Sequence, residues 1–175
     1  MQSSTSSSSS LKAAIRSRAL EEGFDRVGFA EPRLAADTVN NLKQFLDQGL
    51  HGDMAWMAAN AERRADPNEL WGAARSVITL GANYAPDHDP LEALAFRESG
   101  AISVYAQGAD YHDVIKRNLK RLASWIAQTH AADVKVFVDT APLMEKVIAP
   151  LYGAYAALDD ARAKRGTLEL NITER

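Results

Sequence analysis

Apolar residues recur along the chain with two periods, and the alternation between them predicts an α+β or α/β domain. Leu11, Ala14, Ile15, Arg18 and Ala19 keep helical spacing. Ser10 stands as the expected N-cap of this helix and Gly23 as its C-terminal stop. FDRVGFA (24–30) reads as a strand closed by Pro32, with Phe24, Val27 and Phe29 as its apolar positions. Asp37 is placed to cap a second helix whose apolar face is Val39, Leu42, Phe45 and Leu46, and Gly49 ends it. SVITLGANY (76–84) is nearly continuous in β-branched and aliphatic residues, the pattern of a strand buried on both faces. AISVYA (101–106) and VKVFVD (134–139) are further strand candidates. Between them, Ile115, Leu119, Leu122 and Ile126 form one stripe of a helix over Tyr111–His130, capped by Asp110. Pro142 suits the first turn of another helix, which Pro150 ends or kinks. Helices and strands interleave with uneven connections, so a mixed β-sheet flanked by helices is expected.

The two ends differ from this body. Residues 1–10 (MQSSTSSSSS) contain seven serines, and a flexible tail is expected there. Residues 151–175 read as a helix to about Arg165, a stop at Gly166, and an extended tail around Leu168 and Leu170.

Composition removes several classes of chemistry. The 175 residues contain no cysteine, so this chain offers no disulfide, thiolate metal site or cysteine-held iron–sulfur cluster. The formal net charge of -3 is unlike that of a strongly basic nucleic-acid binder. No apolar run approaches the ~20 residues that span a bilayer. No basic-then-apolar leader opens the chain. The cytoplasm is the expected compartment, with no membrane partner. A glycine-rich phosphate loop, a Ser-His-Asp signature and paired metal-spaced histidines are also missing, so no metal site is expected.

Two segments carry candidate chemistry. Tyr105, Asp110, Tyr111 and His112 gather around the turn at Gln107-Gly108, where a strand-to-helix junction converges on a ligand. The alternative is a capped helix whose tyrosines cover the core. Asp139 ends an apolar strand, where a half-buried carboxyl can act as a proton donor. Equally, Asp139 or Thr140 can cap the helix that follows, and caps are the commoner use. Arg63-Arg64 can fork onto a phosphate or carboxylate, or form a solvated helix end. Met54, Trp56 and Met57 can line a flat apolar ligand or pack in a core.

Several pieces together resemble the N-terminal domain of epoxyqueuosine reductase, the cobalamin-dependent family of queuosine tRNA modification. They are GLHGDMAWM (49–57), ERRADP (62–67), ARSVI (74–78), YAQGADYHDV (105–114) and VDTAPLME (138–145), in this order. The resemblance runs from about Leu11 to Ala149 and places an N-terminal domain over 11–150, with a divergent segment over 151–175. It implies reduction of epoxyqueuosine in the tRNA anticodon loop. Asp139 of the Val-Asp-Thr-x-Pro motif would be the proton donor, and Arg64, Tyr105, Asp110, Tyr111 and His112 would face cobalamin or tRNA. It also implies an α+β scaffold similar to nitroreductase-like cobalamin-binding domains. The family's [4Fe–4S] clusters have no ligands here, so electrons would come from a cluster-bearing chain or an external donor. The expectation is therefore a truncated epoxyqueuosine reductase. The alternatives are a non-catalytic corrinoid or tRNA binding module, or a non-functional truncated product. The C-terminal Ala-Arg-x-x-Arg-Gly-x-Leu-Glu-Leu run (161–170) weakly resembles a segment of the ribonuclease II and R family, too short to bring that activity.

Overall fold

The computed structural model describes residues 3–84, 86–148 and 167–174. Helix α1 (Ser3–Glu21) leads to strand β1 (Arg26–Ala30) and helix α2 (Ala36–Asp47). Three short helices follow, α3 (Ala55–Ala59), α4 (Ala61–Ala65) and α5 (Pro67–Leu70), and then strand β2 (Ser76–Gly81). Two 3₁₀ turns at Glu92–Ala95 and Val104–Ala106 precede the long helix α6 (Tyr111–His130) and strand β3 (Ala132–Phe137). Helix α7 (Glu145–Ile148) and strand β4 (Thr167–Glu174) complete the described elements. The α+β class expected from the sequence is the class observed. The sheet, expected to mix strand directions, instead has the order β1-β2-β4-β3 with every pairing antiparallel.

The hydrophobic pattern explains the layers. On β2, Ile78 and Leu80 point to one face, where Ile15 and Ala19 of α1 and Leu119, Leu122 and Ile126 of α6 close the main core. Val77 points to the opposite face and meets Leu143, Ile148 and Leu70 in a smaller core. With all four residues from Val77 to Leu80 buried, β2 is the two-sided strand that its continuous run predicted. Each fully buried leucine or isoleucine here contributes roughly 1.5–3 kcal/mol.

Terminators read from the sequence hold. Gly23 (φ +92°) ends α1, with its N–H on Leu20 O and the Phe24 N–H on Ala19 O. This double bond is a Schellman motif, which needs a residue with positive φ. Gly49 ends α2 in the same way, through Leu46 O and Phe45 O. Asp110 caps α6 by accepting from the His112 N–H.

Other expectations are corrected. Helix α1 begins at Ser3, so residues 3–10 are helical and Ser10 lies inside the helix rather than at its cap. Serine costs only a few tenths of a kcal/mol per helical residue, and a nucleus already formed by the Leu11 stripe propagates through it. Asp37 sits in the first turn of α2, behind an Ala35 N-cap that makes no side-chain bond. The segment 101–106 is no strand: Gln107 Nε2 donates to Ile102 O at 2.8 Å and folds it into a 3₁₀ turn, with Ile102 and Tyr105 exposed. The helix expected at Pro142 starts only at Glu145, because Ala141 and Leu143 are drawn into the small core first. Met54 and Trp56, for which core packing was the commoner fate, stand exposed. The extended segment at Leu168 and Leu170 is not a tail but the strand β4, hydrogen-bonded on both sides. The helix expected over 151–165 and the stop at Pro150 lie outside the described residues.

Candidate functional site

Where α6 begins, its N-terminal residues face the end of β3 across a cleft of about 640 Å³. Phe24, Val104, Val114 and Ile115 give it apolar walls, while Tyr84, Tyr105, Tyr111 and Asp139 bring polar groups to its mouth. This mixture, mostly apolar with a few convergent polar groups, is the ordinary make-up of a small-molecule site.

Asp139 lies beyond the last residue of β3 in a left-handed conformation, φ +52°. For a residue with a Cβ, that conformation costs on the order of 1 kcal/mol and persists only where surrounding structure imposes it. Its carboxylate accepts a hydrogen bond from the Tyr111 hydroxyl at 2.7 Å. The capping role weighed for Asp139 and Thr140 does not hold, since α7 starts at Glu145. What the strand end supplies instead is an exposed carboxyl pinned at the cleft by a tyrosine from another element.

Tyr111 is itself held by rings. Tyr105 meets it edge-on, with centroids 6.1 Å apart, and the His112 ring lies against it at 4.0 Å. The hydrogen bond to Asp139, followed by burial and the nearby carboxylate charges, pushes the Tyr111 phenol up to about 12 from its usual 10.0. A phenol whose folded pKa is raised favours folding fully below pH 10 and loses that contribution as the pH rises through about 12. A spectrophotometric titration of the tyrosines is therefore expected to show one late phenol that disappears in Tyr111→Phe. A late phenol that survives this substitution would dissociate the hydrogen bond from the shift.

Asp110 does more than cap the helix. Its Oδ1 accepts from the His112 backbone N–H and also from the His112 ring Nδ1, each at 2.9 Å. These bonds, the backbone one first, lower the Asp110 pKa. A carboxylate only accepts, so Nδ1 of His112 carries the proton of this bond. Tyr105, Tyr111 and Asp139 are thus brought together in the cleft, while Asp110 and His112 lie outside its lining and reach it only through the ring contact of His112 with Tyr111. Arg64 lies on α4, also outside the cleft lining, with its guanidinium 5.5 Å from the Trp56 ring centre. Its Nε is buried and lacks a hydrogen bond among the described residues. No group of three metal-ligating side chains occurs among the described residues. Among the same residues, no helix is long and apolar enough to cross a membrane. Asn118, which also lines the cleft, was not singled out from the sequence, because a lone amide on a helix gives no signal by spacing.

Comparison with known proteins places this cleft in context. Residues 64–140, which include all six candidate residues, match the family described as "Epoxyqueuosine reductase QueG, DUF1730". An epoxyqueuosine reductase of Leadbetterella byssophila is 40% identical over 141 residues, covering 79% of this chain and 45% of the relative. One from Pseudomonas aeruginosa is 37% identical over 145 residues, covering 82% and 40%. The chain thus spans less than half the length of these curated relatives. A crystal structure of an epoxyqueuosine reductase with an epoxyqueuosine-modified tRNA-Tyr stem loop has the same fold, with a TM-score of 0.68 at 20% identity over 93% of this chain and 45% of that one.

Proposed function

We propose, from the premise that this chain is homologous to the epoxyqueuosine reductases, that it supplies the proton donor and one wall of the ligand site for reduction of epoxyqueuosine in tRNA. The observation that carries this reading is Asp139, held at the cleft in a left-handed conformation and bonded to Tyr111. Opening an epoxide leaves an alkoxide, which is a poor leaving group. A protonated carboxyl that gives up its proton as the C–O bond breaks stabilises that charge and is left as the carboxylate that accepts from Tyr111, and such general acid catalysis contributes about 10²–10⁴-fold. Tyr111 orients the Asp139 carboxyl toward the cleft, while Asp110 fixes the His112 ring against Tyr111.

The cleft fits cobalamin in part. Its open apolar walls and the exposed Tyr84 and Tyr105 suit one face of a flat macrocycle, which Tyr105 and Tyr111 would help to hold. A corrinoid is larger than the drug-sized ligands that fill pockets of about 300–1,000 Å³, so this cleft takes one edge of it. When bound, the cobalamin supplies the reducing power for the substrate. This cysteine-free chain offers no ligands for an iron–sulfur cluster, so a cluster-bearing chain or an external donor would supply the electrons. The tRNA anticodon loop is the macromolecular partner in this reading, which places the reaction in the cytoplasm. Arg64, away from the cleft beside the exposed Trp56, serves the outer edge of the ligand or the RNA.

Titration of the purified chain with cob(II)alamin, followed by absorbance and electron paramagnetic resonance, tests the proposal. A saturable change in the cobalt signal is expected. A well-folded sample that leaves the signal unchanged would overturn the assignment of the cleft as a corrinoid wall.

A further inference from the structure

Behind the cleft runs a chain of polar contacts that the chemistry at Asp139 does not use. Glu22, at the end of α1, is only 5% exposed. One of its carboxylate oxygens accepts from Arg18 and the other from the Nε of Arg121, ninety-nine residues away on α6. Arg121 then uses its NH2 to donate to Oδ1 of Asn118 at 3.0 Å. Arginine only donates, so this bond fixes which end of the Asn118 amide is oxygen. The NH₂ end is turned the other way, toward Gly23, where an added Cβ would lie 3.4 Å from Nδ2. Gly23 and Asn118 both line the cleft.

We infer that Asn118 is a specificity-determining residue of the cleft, offering an oriented amide donor to a carbonyl oxygen of the bound ligand. The inference rests on the cleft being the ligand site proposed above. Tyr111, Ile115 and Asn118 follow at i, i+4 and i+7 on one face of α6, which puts the amide about 10 Å along the helix from Tyr111. The acceptor therefore belongs to a part of the ligand remote from the reacting bond. A peripheral amide of a corrinoid and a nucleobase carbonyl share this chemistry. The buried Glu22 gives the arrangement its rigidity. A carboxylate withdrawn from water is tolerated only with its charge and lone pairs satisfied, so Arg121 has little freedom to release it. Glycine at position 23 keeps the donor uncovered, and its φ of +92° disfavours any side chain there.

The test is calorimetric titration of the full chain with cob(II)alamin and, separately, with a synthetic anticodon stem-loop RNA. Asn118→Asp keeps the oxygen that Arg121 needs and replaces the donor by an acceptor. Asn118→Leu removes the donor without adding charge. Both are expected to weaken binding by about tenfold or more, which is roughly 1.4 kcal/mol or more. A loss confined to cob(II)alamin assigns the carbonyl to the corrinoid, and a loss confined to the RNA assigns it to a base. Unchanged affinity for both probes, in variants that melt like the parent, would overturn the role of Asn118 and leave the cleft assignment standing. Binding of neither probe to the parent chain would overturn both. Should the variants fail to fold, the ¹⁵N side-chain signal of Asn118 in the parent decides. It shifts on saturation with either probe if the amide is engaged, and its failure to move refutes the inference.

Discussion

Asp139→Asn is expected to lower turnover of an epoxyqueuosine-containing stem loop by about 10²–10⁴-fold, the usual weight of a general acid. The assay is run with an external reductant, since the chain carries no cysteine. Asparagine is the informative replacement for two reasons. It tolerates the left-handed conformation that Asp139 occupies better than any other side chain except aspartate. Its carbonyl oxygen can also accept from the Tyr111 hydroxyl as the carboxylate does at 2.7 Å. The substitution thus removes the proton and little else, and cob(II)alamin affinity and the melting temperature should stay near those of the parent. An Asn variant that turns over at the parent rate would exclude Asp139 as the acid. Asp139→Ala confounds this test by adding backbone strain at φ +52°.

Removal of residues 167–175 is expected to abolish cooperative folding. Strand β4 pairs with β2 from Ser76 to Gly81 and with β3 from Ala132 to Phe137, so it is the interior strand that joins them. Without it, both neighbours lose a ladder. On the β2 side the freed groups lie along residues 77–80, all buried while β4 is in place. Each backbone group left without a partner costs about 1–3 kcal/mol, so the groups freed along both neighbours together become comparable to the 5–15 kcal/mol net stability of a domain. A gentler version is Leu170→Pro. Leu170 stands opposite Ile78 and Val136, and proline there deletes a ladder donor in the middle of a sheet. Thermal unfolding followed by circular dichroism should show a large fall in melting temperature for the proline variant and no sharp transition for the deletion. A deletion variant that melts like the parent would mean that β4 does not hold the sheet together.

These outcomes bear on different levels of the molecule, and the sequence made them legible to different degrees. Periodicity alone placed α6 from Tyr111 to His130 with its Asp110 cap, because a helix stripe and a capping side chain are local signals. It placed the stops at Gly23 and Gly49 for the same reason, since a positive φ after a helix is a demand on one residue. The burial of β2 followed from its continuous apolar run. The motif-bearing segments also led to the epoxyqueuosine reductases before any fold was in view, and the homology extends over about four fifths of the chain.

Only the folded chain could decide the rest, because it depends on residues far apart in sequence. Whether Asp139 caps a helix or faces a cleft turned on where Leu143 found its core, and the small core under Val77 delayed α7 until Glu145. The Tyr111–Asp139 bond links positions 28 apart, and the Glu22–Arg121 pair links positions 99 apart. AISVYA had strand-like letters but joins no strand of the sheet among the described residues, and a side-chain bond from Gln107 holds it as a turn. The C-terminal TLELNITE had an ordinary extended pattern, and its place between β2 and β3 came from the open ladders on either side. Local propensity and capping are written into neighbouring residues. Pairing, burial and the meeting of an acid with its hydrogen-bond donor come from the tertiary contacts that bring distant residues together.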